Sequence, residues 1–182
     1  MTATFSLALG ISPVILKQLL LPLLSGLALL VATPVYARDF GLNLGGGTLF
    51  DPTRPGGHFS LEMSLSDEYP THLAPFFEFY SKSGTRIIPI GISLLYKPPL
   101  SEYGGTIYFG AGGGALLIRG QPTAGLATGT DGMITVAGGL SFGVGPSAGV
   151  FVQVRWFRSF EDQTAENEIG VQAGIRFYIP GD

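Results

Sequence analysis

Glu62, Glu78, Arg155 and Arg176 each fall on the polar face of an alternating segment, in company with Gln153, Gln172, Asn43 and Tyr80. Carboxylates and guanidiniums gathered on one enclosed surface must pair, because a buried charge without a partner is strongly disfavoured. These residue types therefore predict a Glu–Arg network, bridged by amides, that plugs an interior. A gated or narrow polar passage is the functional alternative. His58-Phe59-Ser60 puts an imidazole and a hydroxyl two residues apart, and Asp51 lies nearby in sequence. Hydrolysis needs nucleophile, base and carboxylate in mutual contact, and residue types near one another in sequence do not supply that. No catalytic residue is assigned, and the chain is read as non-enzymatic. His58 and His72 are the only histidines and the chain has no cysteine. Metal-ligand spacing, a thiol nucleophile and disulfides are thereby excluded, and no cofactor is expected.

The elements that must carry these residues alternate with a period of two, as strands do. Val150, Val152, Val154 and Trp156 lie on one face of Ala148 to Phe160, with Gly149, Phe151, Gln153, Arg155 and Phe157 on the other. Ile169, Val171, Ala173, Ile175 and Phe177 oppose Glu168, Gly170, Gln172, Gly174, Arg176 and Tyr178. Six more strands are expected over 39–48, 58–65, 75–82, 86–96, 106–118 and 132–144. Pro89 predicts a bulge or local break in the fourth. The run 106–118 is apolar on both faces, so its orientation is undecided. One face of the other segments is uniformly apolar and the opposite face holds Gly, Gln, Glu and Arg. Lengths suit tilted membrane strands of roughly 9–11 residues. The pattern predicts an all-β, eight-stranded antiparallel up-and-down transmembrane β-barrel, apolar outward to lipid and polar inward. Tyr69, Tyr96, Tyr103, Tyr108, Trp156, Phe157, Phe160, Phe177 and Tyr178 cluster towards strand ends, where aromatic girdles belong.

Residues 1–37 read as a cleaved signal peptide: Lys17, an apolar run from Leu19 to Val31, and a small residue at Ala37 before Arg38. Residues 38–182 then form the barrel domain, and the expected location is the outer membrane. No basic run interleaved with aromatics points to nucleic acid. The connections are rich in turn formers, as in Pro52, Pro55 and Gly56-Gly57, Gly84, and Gly145-Pro146-Ser147. An even strand number leaves both chain ends on the periplasmic side. The connections near 49–57, 82–86, 119–131 and 161–167 then face outward, and 119–131 and 161–167 would carry any binding.

The stretch Glu102-Tyr103-Gly-Gly-Thr-Ile-Tyr-Phe-Gly-Ala-Gly-Gly-Gly114 resembles the glycine-rich strand of small outer-membrane barrels. Gly138 to Phe157 resembles their next hairpin, and Gly170 to Tyr178 their closing strand. The resemblance is to the eight-stranded group of outer membrane proteins A, X and W. It implies a structural or interaction protein, surrounded by outer-membrane lipid and lipopolysaccharide and folded by the barrel assembly machinery. It also allows a narrow pore for small solutes, while a soluble exported ligand-binding barrel and a lipid A-modifying enzyme remain as further alternatives. Lipid A deacylases of this shape carry a His-x-Ser pair on a late strand. Here the pair is on the second strand, and that role is not carried over. The family's closing strand usually ends on an aromatic, whereas Ile179-Pro180-Gly181-Asp182 follow Tyr178 in this chain.

Overall fold

The structure is a computed structural model that describes residues 39–50, 53–66, 68–100, 105–120, 129–160 and 167–180. The expectations for the signal peptide, for Asp51 and Tyr103, and for most of the 119–131 and 161–167 connections fall outside these residues. The strands are β1 (Asp39–Phe50), β2 (Arg54–Ser64), β3 (Thr71–Lys82), β4 (Thr85–Tyr96), β5 (Pro99–Leu100), β6 (Gly105–Arg119), β7 (Gly129–Gly143), β8 (Ala148–Ser159) and β9 (Asn167–Pro180). Each long strand pairs antiparallel with its sequence neighbour, β1 pairs β9, and β4 pairs β6. Eight long strands thus close into an up-and-down barrel with no free edge. The two-residue β5 continues β4 along the same partner in unbroken register, with Tyr96 opposite Phe109 and Pro99 opposite Thr106.

Alternation sets the faces. Leu44, Phe59, Phe77, Leu94, Phe109, Val136, Val152, Val154 and Ile175 point outward and stay exposed. Their alternates are buried in the barrel interior. The undecided strand β6 is resolved by closure. Tyr108, Leu116 and Ile118 turn inward with Gly110, Gly112 and Gly114, while Ile107 and Phe109 stay outside. Only glycine fits that inner stretch: a Cβ on Gly112 would lie 2.1 Å from the Ile92 carbonyl oxygen, and one on Gly114 2.0 Å from that of Ile90.

Four expectations are settled. Of the two outcomes expected at Pro89, the local break is found and the bulge is not. Pairing between β3 and β4 lapses opposite Glu78 and Phe79, and the register is the same on both sides, Phe77 with Ile90 and Tyr80 with Ile87. The proline removes a donor without adding a residue. Second, Pro55, Gly56 and Gly57, read as turn formers, lie inside β2 opposite Thr48, Gly47 and Gly46. Third, β7 starts at Gly129, where Gly129, Thr130 and Asp131 pair with Ile118, Leu117 and Leu116, so the connection is shorter than 119–131. In both cases backbone pairing with the neighbouring strand extends the ladder beyond the apolar pattern. Fourth, Tyr108 and Phe157 are buried in the interior, 4% and 0% exposed, and do not belong to an outer aromatic girdle.

Candidate functional site

The interior is layered along the barrel. At the end carrying the β1–β2 and β3–β4 hairpins, Leu49, Phe76, Tyr80, Ile87, Leu116, Ile118, Met133 and Phe157 form an apolar cluster. Arg54 and Glu168 close this end with a 2.8 Å ion pair. At the opposite end, where β1 begins and β9 finishes, Ala74, Leu95 and Tyr108 make a smaller apolar cluster. A polar network fills the space between.

Two carboxylates anchor that network. Glu78, fully buried on β3, faces Arg155 of β8, whose Nε lies 2.9 Å from Oε1. The Arg155 guanidinium carbon also lies 4.0 Å from the centroid of the Phe76 ring, so one cation meets both an aromatic and a carboxylate. Tyr80 donates to Glu78 Oε2 at 3.0 Å, and Gln172 donates to the Tyr80 hydroxyl. Gln153 donates in turn to Gln172, and Tyr108 donates to Gln153 Oε1 at 3.1 Å. Glu62, on β2, takes Arg176 and Lys97 on Oε2 and Asn43 on Oε1, the last at 2.8 Å. All six residues proposed from sequence for the lumen are buried here, with Asn43 and Tyr80. Glu78 is brought to Arg155 and Glu62 to Arg176.

A histidine joins the two carboxylates. His58 stands 3.0 Å from Glu78 Oε1 through Nδ1 and 3.1 Å from Ser60 Oγ through Nε2. A carboxylate accepts only, so Nδ1 carries the proton towards Glu78. Asn43 Nδ2 donates both to Ser60 Oγ, at 3.0 Å, and to Glu62. The connections Glu78–His58–Ser60–Asn43–Glu62 therefore run unbroken through the lumen.

Ser60–His58–Glu78 has the bonding order of a serine hydrolase relay. Its surroundings differ from such a site. Ser60 is 4% exposed and its oxygen is already held by Asn43, while the His58 ring lies 5.7 Å from that of Phe151. Glu78 is shared with Arg155 and Tyr80. Every member is held by the wall, and the arrangement reads as packed lumen. Among the described residues no group of three or more His, Asp or Glu could hold a metal ion.

Sequence reading missed Lys97, Arg54 and the linking role of His58. Arg54 falls in the expected 49–57 connection and Lys97 between the strands expected over 86–96 and 106–118. A signal for Lys97 was present, since it continues the inward alternation of Ser93 and Leu95. Lys97 lies beyond β4, its backbone N–H donates to the Pro70 carbonyl at 2.7 Å, and its ammonium lies 5.0 Å over the Tyr108 ring. Burial presses that ammonium down to about 8, against the upward pull of Glu62.

No family model and no curated protein matches this chain. Solved structures do. Neisserial surface protein A superposes with a TM-score of 0.58 at 13% identity, over 78% of this chain and 96% of that one. The fold is that of the small outer-membrane barrels. The N-terminal β-barrel domain of Pseudomonas aeruginosa OprF gives 0.56 at 15% identity, over 78% and 98%. The outer membrane protein OprG of the same species gives 0.55 at 12% identity, over 80% and 97%. The expected eight-stranded antiparallel architecture is the one found.

Proposed function

We propose that this chain is a non-enzymatic outer-membrane barrel with a structural or interaction role. One observation carries the reading: an exposed apolar band surrounds a barrel whose lumen is closed by buried ion pairs. Phe59, Phe77, Ile92, Leu94, Phe109, Val136, Val152, Val154 and Ile175 are each at least 40% exposed. A water-soluble protein rarely leaves so continuous an apolar surface uncovered, whereas lipid covers it at no cost. Inside, Glu62, Glu78, Arg155 and Arg176 are each 4% exposed or less. Eight strands enclose room for side chains and little else. Export through residues 1–37, insertion by the barrel assembly machinery, and contact of the outer rim with lipopolysaccharide complete the proposal. Binding to a partner falls to the connections around 119–131 and 161–167.

A narrow pore is the second reading, favoured by the unbroken line of polar side chains through the lumen. Planar-bilayer recording separates the two. The purified barrel is expected to give no conductance steps. Steps that vanish when Arg155 or Glu78 is replaced would move the assignment to a pore.

A further inference from the structure

Alternation puts three arginines on the outward face of the described strands, Arg86, Arg119 and Arg158. All three stand at the end that carries the β3–β4 hairpin. The described strand carboxylates Glu62, Glu78, Asp131 and Glu168 fall instead on inward positions. Arg86 and Arg119 lie directly opposite each other in the β4–β6 ladder, and Ser81 lies opposite Arg86 in the β3–β4 ladder. The three form one row across neighbouring strands, about 5 Å from backbone to backbone. That row tops the apolar band. Outward positions are apolar from Tyr96 to Ile88 on β4 and from Ile107 to Leu117 on β6, and the two arginines come next. Those spans match the roughly 9–11 residues that carry a tilted strand across a bilayer, so both guanidiniums lie at headgroup level. Like charges directly opposite in a ladder repel. Both side chains are half-buried and held in place: Arg119 Nη1 donates to the Ile118 carbonyl at 3.3 Å, and Arg86 has an interaction of its own. A guanidinium carries five N–H donors, more than one contact uses. The next outward pair, Ile88 and Leu117, is 2% and 1% exposed, so no groove opens beneath the row.

We propose that Arg86 and Arg119 form a site on the lipid-facing wall for a phosphate monoester on the head of an outer-leaflet lipid, the group that lipid A carries. The inference rests on the outer-membrane reading, in which this end faces outward, and it names the lipid chemistry that the rim takes. A phosphate monoester bears a charge of about −1.5 to −2 at pH 7 and three acceptor oxygens, which answers two facing guanidiniums. The Ser81 hydroxyl, at the end of the row, supplies a further donor. A phosphodiester headgroup bears a single charge and leaves one of the two cations unmatched. Once bound, the phosphate turns a repulsive cross-strand pair into two charge-assisted contacts that tie β4 to β6. Because Ile88 and Leu117 fill the floor, recognition falls to the headgroup and not to an acyl chain.

The test counts lipid on the barrel refolded in neutral detergent, by native mass spectrometry, with folding of each variant checked by its mobility shift on an unboiled gel. Two anionic lipids of equal chain length are the probes: phosphatidic acid, a phosphate monoester, and phosphatidylglycerol, a diester. Wild type is expected to retain one phosphatidic acid in preference to phosphatidylglycerol. Arg86→Gln combined with Arg119→Gln should weaken that retention about tenfold or more, as charge-assisted contacts are lost. Arg158→Gln removes an outward arginine outside the row and should leave it unchanged. Excess inorganic phosphate should not displace the lipid. Arg119→Gln alone is read in the same way if the double variant does not fold. The proposal is overturned if folded wild type holds both lipids alike or neither, if the double variant keeps its phosphatidic acid, if Arg158→Gln acts as the double variant does, or if inorganic phosphate displaces the lipid. In each of those cases the barrel itself stands. A wild-type chain with no gel-shifted form in detergent would sink the barrel reading, and the site with it.

Discussion

Replacing Glu78 by Gln tests how dry the lumen is. The carboxylate is fully buried and holds Arg155 at 2.9 Å, His58 at 3.0 Å and the Tyr80 hydroxyl at 3.0 Å. Glutamine keeps the shape and one acceptor oxygen but leaves Arg155 as a buried cation without a counter-charge. Loss of one partner of a buried pair costs about 3–5 kcal/mol, whereas an exposed pair is worth about 0–1 kcal/mol. The Phe76 ring beneath Arg155 is present before and after the change, so its cation–π contact does not enter the difference. The expected cost is therefore about 3–5 kcal/mol. The double replacement Glu78→Leu with Arg155→Met removes both charges and should recover most of it, because a packed apolar pair of similar volume is often as stable as a buried ion pair. The assay is urea unfolding of the barrel in lipid vesicles, followed by gel mobility and by emission of Trp156, the only tryptophan. A cost below about 1 kcal/mol for Glu78→Gln would place the pair in water and refute a dry, plugged lumen.

Other outcomes follow from the same geometry. Val152→Arg, on the exposed apolar band and 42% exposed, should cost about 2–4 kcal/mol in vesicles if it lies near the bilayer midplane, read from the urea midpoint. Gly174→Ala would set a Cβ 2.1 Å from the Leu44 carbonyl oxygen, while at Gly46 the nearest atom is 3.5 Å away. Gly174→Ala should therefore lose the folded gel band under conditions where Gly46→Ala keeps it. Lys97 gives a pH signature. Its folded value of about 8 lies below the ordinary 10.5, so the unfolded chain binds more protons between those limits and stability rises with pH across that window. Wild type should gain relative to Lys97→Met from about pH 8 to 10.5, and a parallel response of the two would refute the assignment.

Much of this barrel was legible because alternation is a strong signal when one face meets lipid. Val150 to Trp156 against Gly149 to Phe157 settled β8, and the same rule placed Glu62, Glu78, Arg155 and Arg176 on inner faces. Strand ends were less legible. Arg54 to Gly57 and Gly129 to Asp131 carry no apolar period, and their strand conformation comes from pairing with β1 and β6. The orientation of β6 could not be read from a run apolar on both sides. It is set by closure, which allows no side chain at Gly112 or Gly114. Partner choice within the lumen was also hidden. Which arginine meets which glutamate depends on the stagger that carries β8 opposite β3 and β9 opposite β2, and no local pattern encodes it. His58, the first residue of the strand expected over 58–65, joins the two halves because pairing at Arg54 to Gly57 places it well inside β2.

The central claim is that this is a membrane barrel whose apolar band faces lipid. The most direct measurement is gel mobility of residues 38–182, refolded in detergent and separately in plain buffer, with and without boiling. The account predicts a β-rich form that appears only with detergent, resists dodecyl sulfate and migrates differently until boiled. A chain that folds in buffer alone, with no shift on boiling, would contradict it, since the band now assigned to lipid would then be buried against protein.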